Sequence, residues 1–147
     1  MVFSRRDICR LLPQLTALVG SAATESFAAE DSVLPSKAYR LENLPVHRSE
    51  QNASRPVLEG ETHSGWHIEL HESALQPGGM PHPPHHHVHE EMFLVREGTL
   101  EVTIAGQTSR LGPGSVAFVA SNDEHGVRNV GRDHAQYFVL ALGRDRS

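Results

Sequence analysis

From Gly65 onward the apolar positions recur with a period of two. Trp66, Ile68 and Leu70 alternate with His67, Glu69 and His71, the pattern of a strand with one buried face. If the apolar face fills the interior, His67 and His71 point to solvent or meet a partner subunit. Leu100, Val102 and Ile104 repeat the pattern within Thr99–Ile104. Further strands are expected at His85–His89, Glu91–Arg96, Thr108–Leu111, Val116–Val119, His125–Val130 and Gln136–Leu142. Phe93, Val95, Phe118, Val127 and Tyr137 on these strands read as core or pocket wall. Turn chemistry separates the strands: Pro77-Gly78-Gly79, Glu97-Gly98, Ala105-Gly106, Gly112-Pro113-Gly114 and Ser121-Asn122-Asp123. No stretch of ten or more residues in this region has helical periodicity. Many short strands between closely spaced turns predict an all-β fold, a small antiparallel sandwich or barrel of jelly-roll type.

Upstream the pattern fades. Residues 29–59 are polar and broken by Pro35, Pro45 and Pro56, so an arm or short edge strands are expected there, at Ala38–Leu44 and Arg55–Glu59. The barrel proper is expected over residues 60–143. Residues 1–28 have the layout of a cleavable export signal. Arg5, Arg6 and Arg10 precede the apolar stretch Leu11–Gly20, and Ser21-Ala22-Ala23 or Ser26-Phe27-Ala28 offers a small-residue cleavage site. Ser4-Arg5-Arg6-Asp7-Ile8 resembles a twin-arginine (Tat) signal, with Ile8 and Cys9 where Phe and Leu are usual. The apolar stretch is too short to span a bilayer and contains Pro13. A periplasmic or secreted location is therefore expected, with no membrane attachment after cleavage.

The chain has 147 residues, enough for one domain with its own core. Its formal charge of −5 becomes −6 without residues 1–28, a sign unsuited to nucleic acid or an anionic membrane surface. The single cysteine, Cys9, lies in the export segment. No disulfide, zinc–thiolate site or cysteine nucleophile can form downstream of it.

Five of the eleven histidines fall within the eight residues His82–His89. On extended chain His85 and His87 project to one face, and Glu91 keeps the same parity. A fourth donor must come from elsewhere, and His125 is the candidate, carried across from them on an antiparallel return strand. Three imidazoles and a carboxylate suit Mn, Fe(II), Ni, Co or Zn and do not suit Ca or Mg. With four protein donors an octahedral ion keeps two open positions, as a catalytic metal requires. His86 and Glu90 have the opposite parity and should face outward. His89 shares the ligand parity, but a solvated position is expected for it. His82, among Pro81, Pro83 and Pro84, reads as loop near the pocket mouth.

These residues resemble the cupin superfamily. Gly79, His85, His87, Glu91 and Gly98 fill every defined position of its first motif, G-x5-H-x-H-x(3 or 4)-E-x6-G. Gly114, His125 and Asn129 fit the second, G-x5-P-x-G-x2-H-x3-N, with Ala120 and Asn122 at its two turn positions. The fifteen residues between the motifs match small single-domain members. The resemblance implies a double-stranded β-helix and one divalent metal held by His85, His87, Glu91 and His125. It also implies a small-molecule substrate or ligand and a homodimer. Dioxygenases, isomerases and lyases of this kind use the metal as Lewis acid or O2 site. A non-catalytic module holding a ligand or metal in the same pocket is the alternative. No general acid or base has a forced position, so catalytic residues stay unassigned. Manganese or iron is expected in particular, because a protein that folds before transport can load a weakly binding metal away from copper and zinc. Asn129 is expected to fix a turn by hydrogen bonding.

Overall fold

The computed structural model describes residues 33–144, and the expected export segment lies outside them. A short 3-10 turn, Leu41–Asn43, precedes nine strands: β1 (His47–Arg48), β2 (Asn52–Glu61), β3 (His67–Leu75), β4 (Glu90–Glu97), β5 (Leu100–Ile104), β6 (Gln107–Leu111), β7 (Val116–Val119), β8 (His125–Asn129) and β9 (Ala135–Gly143). They form an antiparallel six-stranded sheet in the order β1-β2-β3-β9-β4-β7 and a three-stranded sheet in the order β6-β5-β8. The fold is all-β, as the strand pattern predicts, and a double-stranded β-helix, as the resemblance implies.

Local chemistry explains the connections. Ala105 and Gly106 have φ of 47° and 77°, the paired positive values of a two-residue hairpin, and they join β5 to β6. Asn122 has φ 64°, the left-handed conformation that Asn tolerates better than most residues. Its amide N–H donates to the His87 carbonyl at 2.8 Å, which ties the turn before β8 to the histidine segment.

Three sequence expectations change. Residues 85–89 do not form a strand; only His85 pairs, in an isolated antiparallel bridge with His125. The prolines at 81, 83 and 84 stand immediately upstream and cannot donate to a ladder. The strand expected at Arg55–Glu59 does form, within β2, which pairs with β3 along its length apart from a bulge between Pro56 and Leu58. Ala38–Leu44 forms the 3-10 turn and its flanks, not a strand.

The third change concerns which face is inside. In β9 Ala135, Tyr137 and Val139 are buried and pair with Leu75, Ser73 and His71 of β3. The inner face of β3 is therefore the odd-numbered one that carries His71. Ile68 and Leu70 pair with Leu142 and Leu140 on the outer face, and Phe118 joins them there, half exposed. The core lies between the sheets, where Phe93, Val95, Leu100, Val102, Val119 and Val127 are buried. On the outer face Glu72 is buried by two arginines, with Oε2 3.2 Å from Arg55 and Oε1 2.5 Å from Arg96.

Asn129 does fix a turn. Its fully buried amide donates to the carbonyls of Leu75 at 2.9 Å and Asp133 at 2.8 Å, and its Oδ1 accepts the Gly131 N–H at 2.9 Å. Those bonds join the ends of β8 and β3 to the loop before β9. Asn129→Ala leaves three backbone groups short of a partner. We expect it to lower unfolding stability by about 3 kcal/mol, on the scale of buried groups left unsatisfied. Urea unfolding checks this, and a loss within the ordinary surface range of about 0.5 kcal/mol would refute the role.

Candidate metal centre

The site forms where the segment between β3 and β4 is bridged to β8. The main chains of His85 and His125 exchange two hydrogen bonds, of 3.0 and 2.8 Å, so this close pair is set by backbone and not by the imidazoles. His87 follows on extended chain, Val88 and His89 bend, and β4 then brings Glu91 up from the large sheet. Ligand atoms of His85, His87 and His125 all lie within 4.8 Å of one another. Glu91 Oε2 is 3.2 Å from His125 Nε2, and Oε1 is 3.3 Å from His87 Nε2. All four predicted residues are thus brought together.

Two of the imidazoles have their tautomers fixed from behind. His87 Nδ1 donates to the His89 carbonyl at 2.8 Å and His125 Nδ1 to the Asp123 carbonyl at 2.9 Å. Neutral rings held this way present an Nε2 lone pair to the interior. Those two atoms, together with His85 Nδ1, are buried and have no hydrogen-bond partner. Lone pairs that face carboxylate oxygens at such distances repel unless a cation lies among them. A divalent transition metal fits this donor set.

The electrostatics point the same way. The His85 pKa is lowered, first by burial, then by the neighbouring His82, His125 and His87, with Glu91 opposing. That keeps the ring neutral, as a ligand must be. Burial lowers His89 as well, followed by the charge of His87, against Glu91 and Glu69.

His89 is not the solvated residue expected. Its ring stacks on that of His87 with centroids 3.5 Å apart and planes 8° from parallel, and its Nε2 lies 3.5 Å from Glu91 Oε1. It backs the ligand face and forms a second close group with His87 and Glu91. His86 is exposed, as its parity predicts. His82 sits edge-on to His85, with centroids 4.1 Å apart.

A cavity of about 270 Å³ opens beside Glu91 and His125. Phe93, Val127 and Val139 supply apolar wall, and His71, Ser73 and Tyr137 line it with polar groups. Burial pushes the Tyr137 phenol up to about 12, opposed by a bond to Ser73 and reinforced by the charge of Glu91; it stays a neutral donor. Sequence reasoning missed His71, because its apolar neighbours on β3 appeared to be the inward face.

Comparison with known proteins agrees with this geometry. Residues 71–141 match the family model described as a cupin domain. Over these residues the chain is similar to cupins. The match spans all four converging residues and runs from within β3 to within β9. Solved structures similar to this chain include KdgF from Halomonas sp., with TM-score 0.65 and 18% identity, covering 77% of this chain and 97% of that one. The polyketide cyclase RemF from Streptomyces resistomycificus aligns with TM-score 0.63 and 21% identity over 76% of this chain and 82% of its own. A predicted oxalate decarboxylase from Thermotoga maritima gives TM-score 0.60 and 15% identity over 73% and 99%. No curated protein matches the sequence.

Proposed function

We propose that this chain is an exported metal-dependent cupin enzyme acting on a small organic molecule, of dioxygenase, isomerase or lyase type. His85, His87, Glu91 and His125 would hold one divalent metal, with manganese or iron expected. The observation that carries the reading is the set of three buried imidazole nitrogens without hydrogen-bond partners, two of them against the oxygens of Glu91. The adjoining cavity supports an enzyme, since it places polar side chains and apolar wall beside the same carboxylate. Among proteins of this fold are a polyketide cyclase and a predicted oxalate decarboxylase. A shared fold by itself assigns no reaction. A bound metal would act there as Lewis acid or O2 site. The chain's own residues supply the walls, the neutral Tyr137 donor and the fixed imidazole orientations.

The test is metal identification by mass spectrometry on protein purified without a polyhistidine tag, followed by O2-consumption and product assays on small phenols, enediols and acids. Stoichiometric metal with turnover supports the enzyme. Stoichiometric metal without turnover on any of these leaves the binding module. Mainly zinc or copper after periplasmic isolation would count against loading before export.

Export rests on the twin-arginine-like segment. The homodimer rests on the outer sheet face, where Leu94, Val116 and Phe118 are 46, 54 and 51% exposed beside partly buried Leu140 and Leu142. An apolar face of this kind calls for a partner. Light scattering should give a dimer for the parent chain and a monomer for Phe118→Glu, and a monomeric parent would remove the dimer.

A further inference from the structure

Glu69 and His71 lie on the inner face of β3, and the His71 Nδ1–H donates to Glu69 Oε1 at 2.9 Å. The lone pair of a neutral ring then sits on Nε2. His71 lines the same cavity as Glu91 and His125. The register shows how they are arranged. Glu69 pairs with Ala141, which pairs with Glu91, and one inner row further on His71 pairs with Val139, which pairs with Phe93. His71 is therefore two strands away from β4, roughly 10 Å between main chains, with the small residues of β9 between. A molecule seated beside Glu91 can reach His71 across that gap.

We propose, building on the metal-enzyme reading above, that His71 backed by Glu69 is the proton-accepting residue of this cavity, and that its ligand is a small uncharged acid such as an enol, enediol or hydroxamate. The proton leaves an O–H or C–H of the ligand for His71 Nε2. The electron pair of the broken bond stays on the ligand as an oxyanion or enolate. His71 becomes an imidazolium whose Nδ1–H remains bonded to the Glu69 carboxylate, which offsets the new charge.

The cavity's composition selects the ligand class. Among the described residues, none lining it is Lys or Arg, and Glu91 is the only carboxylate there. A phosphate ester would find no fixed cation among those residues and would meet a carboxylate, whereas phosphate recognition ordinarily uses Arg or Lys. At about 270 Å³ the space falls just below the usual range for drug-sized ligands, which begins near roughly 300 Å³. The titratable groups around His71 are Glu69 on its own strand, with Glu59 beyond it on β2, and Glu91, His82, His125 and Tyr137 around the cavity. Its cross-strand neighbours, Pro56 and Val139, carry no charge.

Acetohydroxamic acid, a neutral acid, is the probe. Calorimetry on the metal-loaded protein near neutral pH, in two buffers of different ionisation enthalpy, counts the protons released on binding. The parent chain should release about one proton fewer than His71→Asn, by linkage between binding and protonation, and Glu69→Gln should fall between them. Equal release by the parent and His71→Asn overturns the proposal. Displacement of the probe by equimolar inorganic phosphate overturns the ligand class. Metal content is measured first, and its absence would defeat the metal reading alone. The dyad is then judged on metal-free protein by 15N NMR, where neutral His71 should be the Nδ1-protonated tautomer and should lose that preference in Glu69→Gln. An Nε2-protonated His71 in the parent chain refutes it.

Discussion

Replacing His125 with alanine should abolish metal binding at the proposed site. The ring is 1% exposed and its Nδ1–H is held by the Asp123 carbonyl, so Nε2 has one direction available to it. Glu91 Oε2 lies in that direction at 3.2 Å. Substitutions that only loosen the groups behind a metal ligand already weaken binding by about 10–100-fold, so removing a ligand should exceed about 100-fold. The fold should survive, because His85 and His125 are bridged through main-chain hydrogen bonds that alanine retains. His85→Ala should behave alike. His86→Ala is the control: its side chain is exposed and one position out of phase, and it should keep full occupancy. Mass spectrometry of tag-free protein after dialysis reads the result, and stoichiometric metal in His125→Ala would refute the site.

The same geometry sets a pH dependence. Burial and the neighbouring imidazoles depress the folded-state pKa of His85 below its ordinary 6.5. In metal-free protein, as pH falls below 6.5, the unfolded chain takes up this proton before the folded one. Stability should therefore decline through that window and level off once the folded-state pKa is passed. With metal bound, protons and metal compete for the imidazoles, so affinity should fall with acidification. Thermal melts of the metal-free protein between neutral and mildly acidic pH check the first statement. A melting temperature that rises with acidification over that range contradicts it.

The strand pattern, the turns and the four converging residues were legible in the sequence because each depends on short spacings. Two imidazoles two residues apart, a carboxylate at matching parity and a histidine after a tight turn are local features that a barrel brings together. The same spacings reach Asn122 and Asn129, whose conformation and bonds are those the turn chemistry demands. The orientation of β3 was not legible. Alternation shows that a strand has two unlike faces, and it identifies the inner one only when the outer face is polar. Here the outer face is apolar, and the inner face turns polar where it borders the cavity, so Ile68 and His71 exchanged their expected roles. Glu72 was hidden for a different reason. Its partners Arg55 and Arg96 lie 17 and 24 residues away, on strands whose positions the pattern does not give.

Alanine at Gly98 should destabilise the domain severely, and the reason is steric more than conformational. Gly98 lies between β4 and β5 with φ +80°, a left-handed conformation that costs other residues about 1–2 kcal/mol. Gly114 has nearly the same torsion, φ +83°, and open space where a Cβ would go. Gly114→Ala should therefore show the conformational cost alone. At Gly98 an added Cβ would lie 2.6 Å from Ala135 Cα, 2.7 Å from Ala135 Cβ and 2.8 Å from the His134 carbonyl oxygen. No rotamer change relieves these contacts, since they involve main chain and a Cβ. Ala135 is fully buried and begins β9, in register with Leu75, so any retreat must move the strand between β3 and β4. Overpacking of this kind costs about 1–3 kcal/mol beyond the torsional strain, a total on the order of 4 kcal/mol in a domain whose whole stability is typically about 5–15 kcal/mol. The displacement would also reach the site, because β9 separates the strand carrying His71 from the strand carrying Glu91. Urea unfolding of the two variants side by side decides the matter: equal losses for Gly98→Ala and Gly114→Ala would show that the close approach to Ala135 carries no cost.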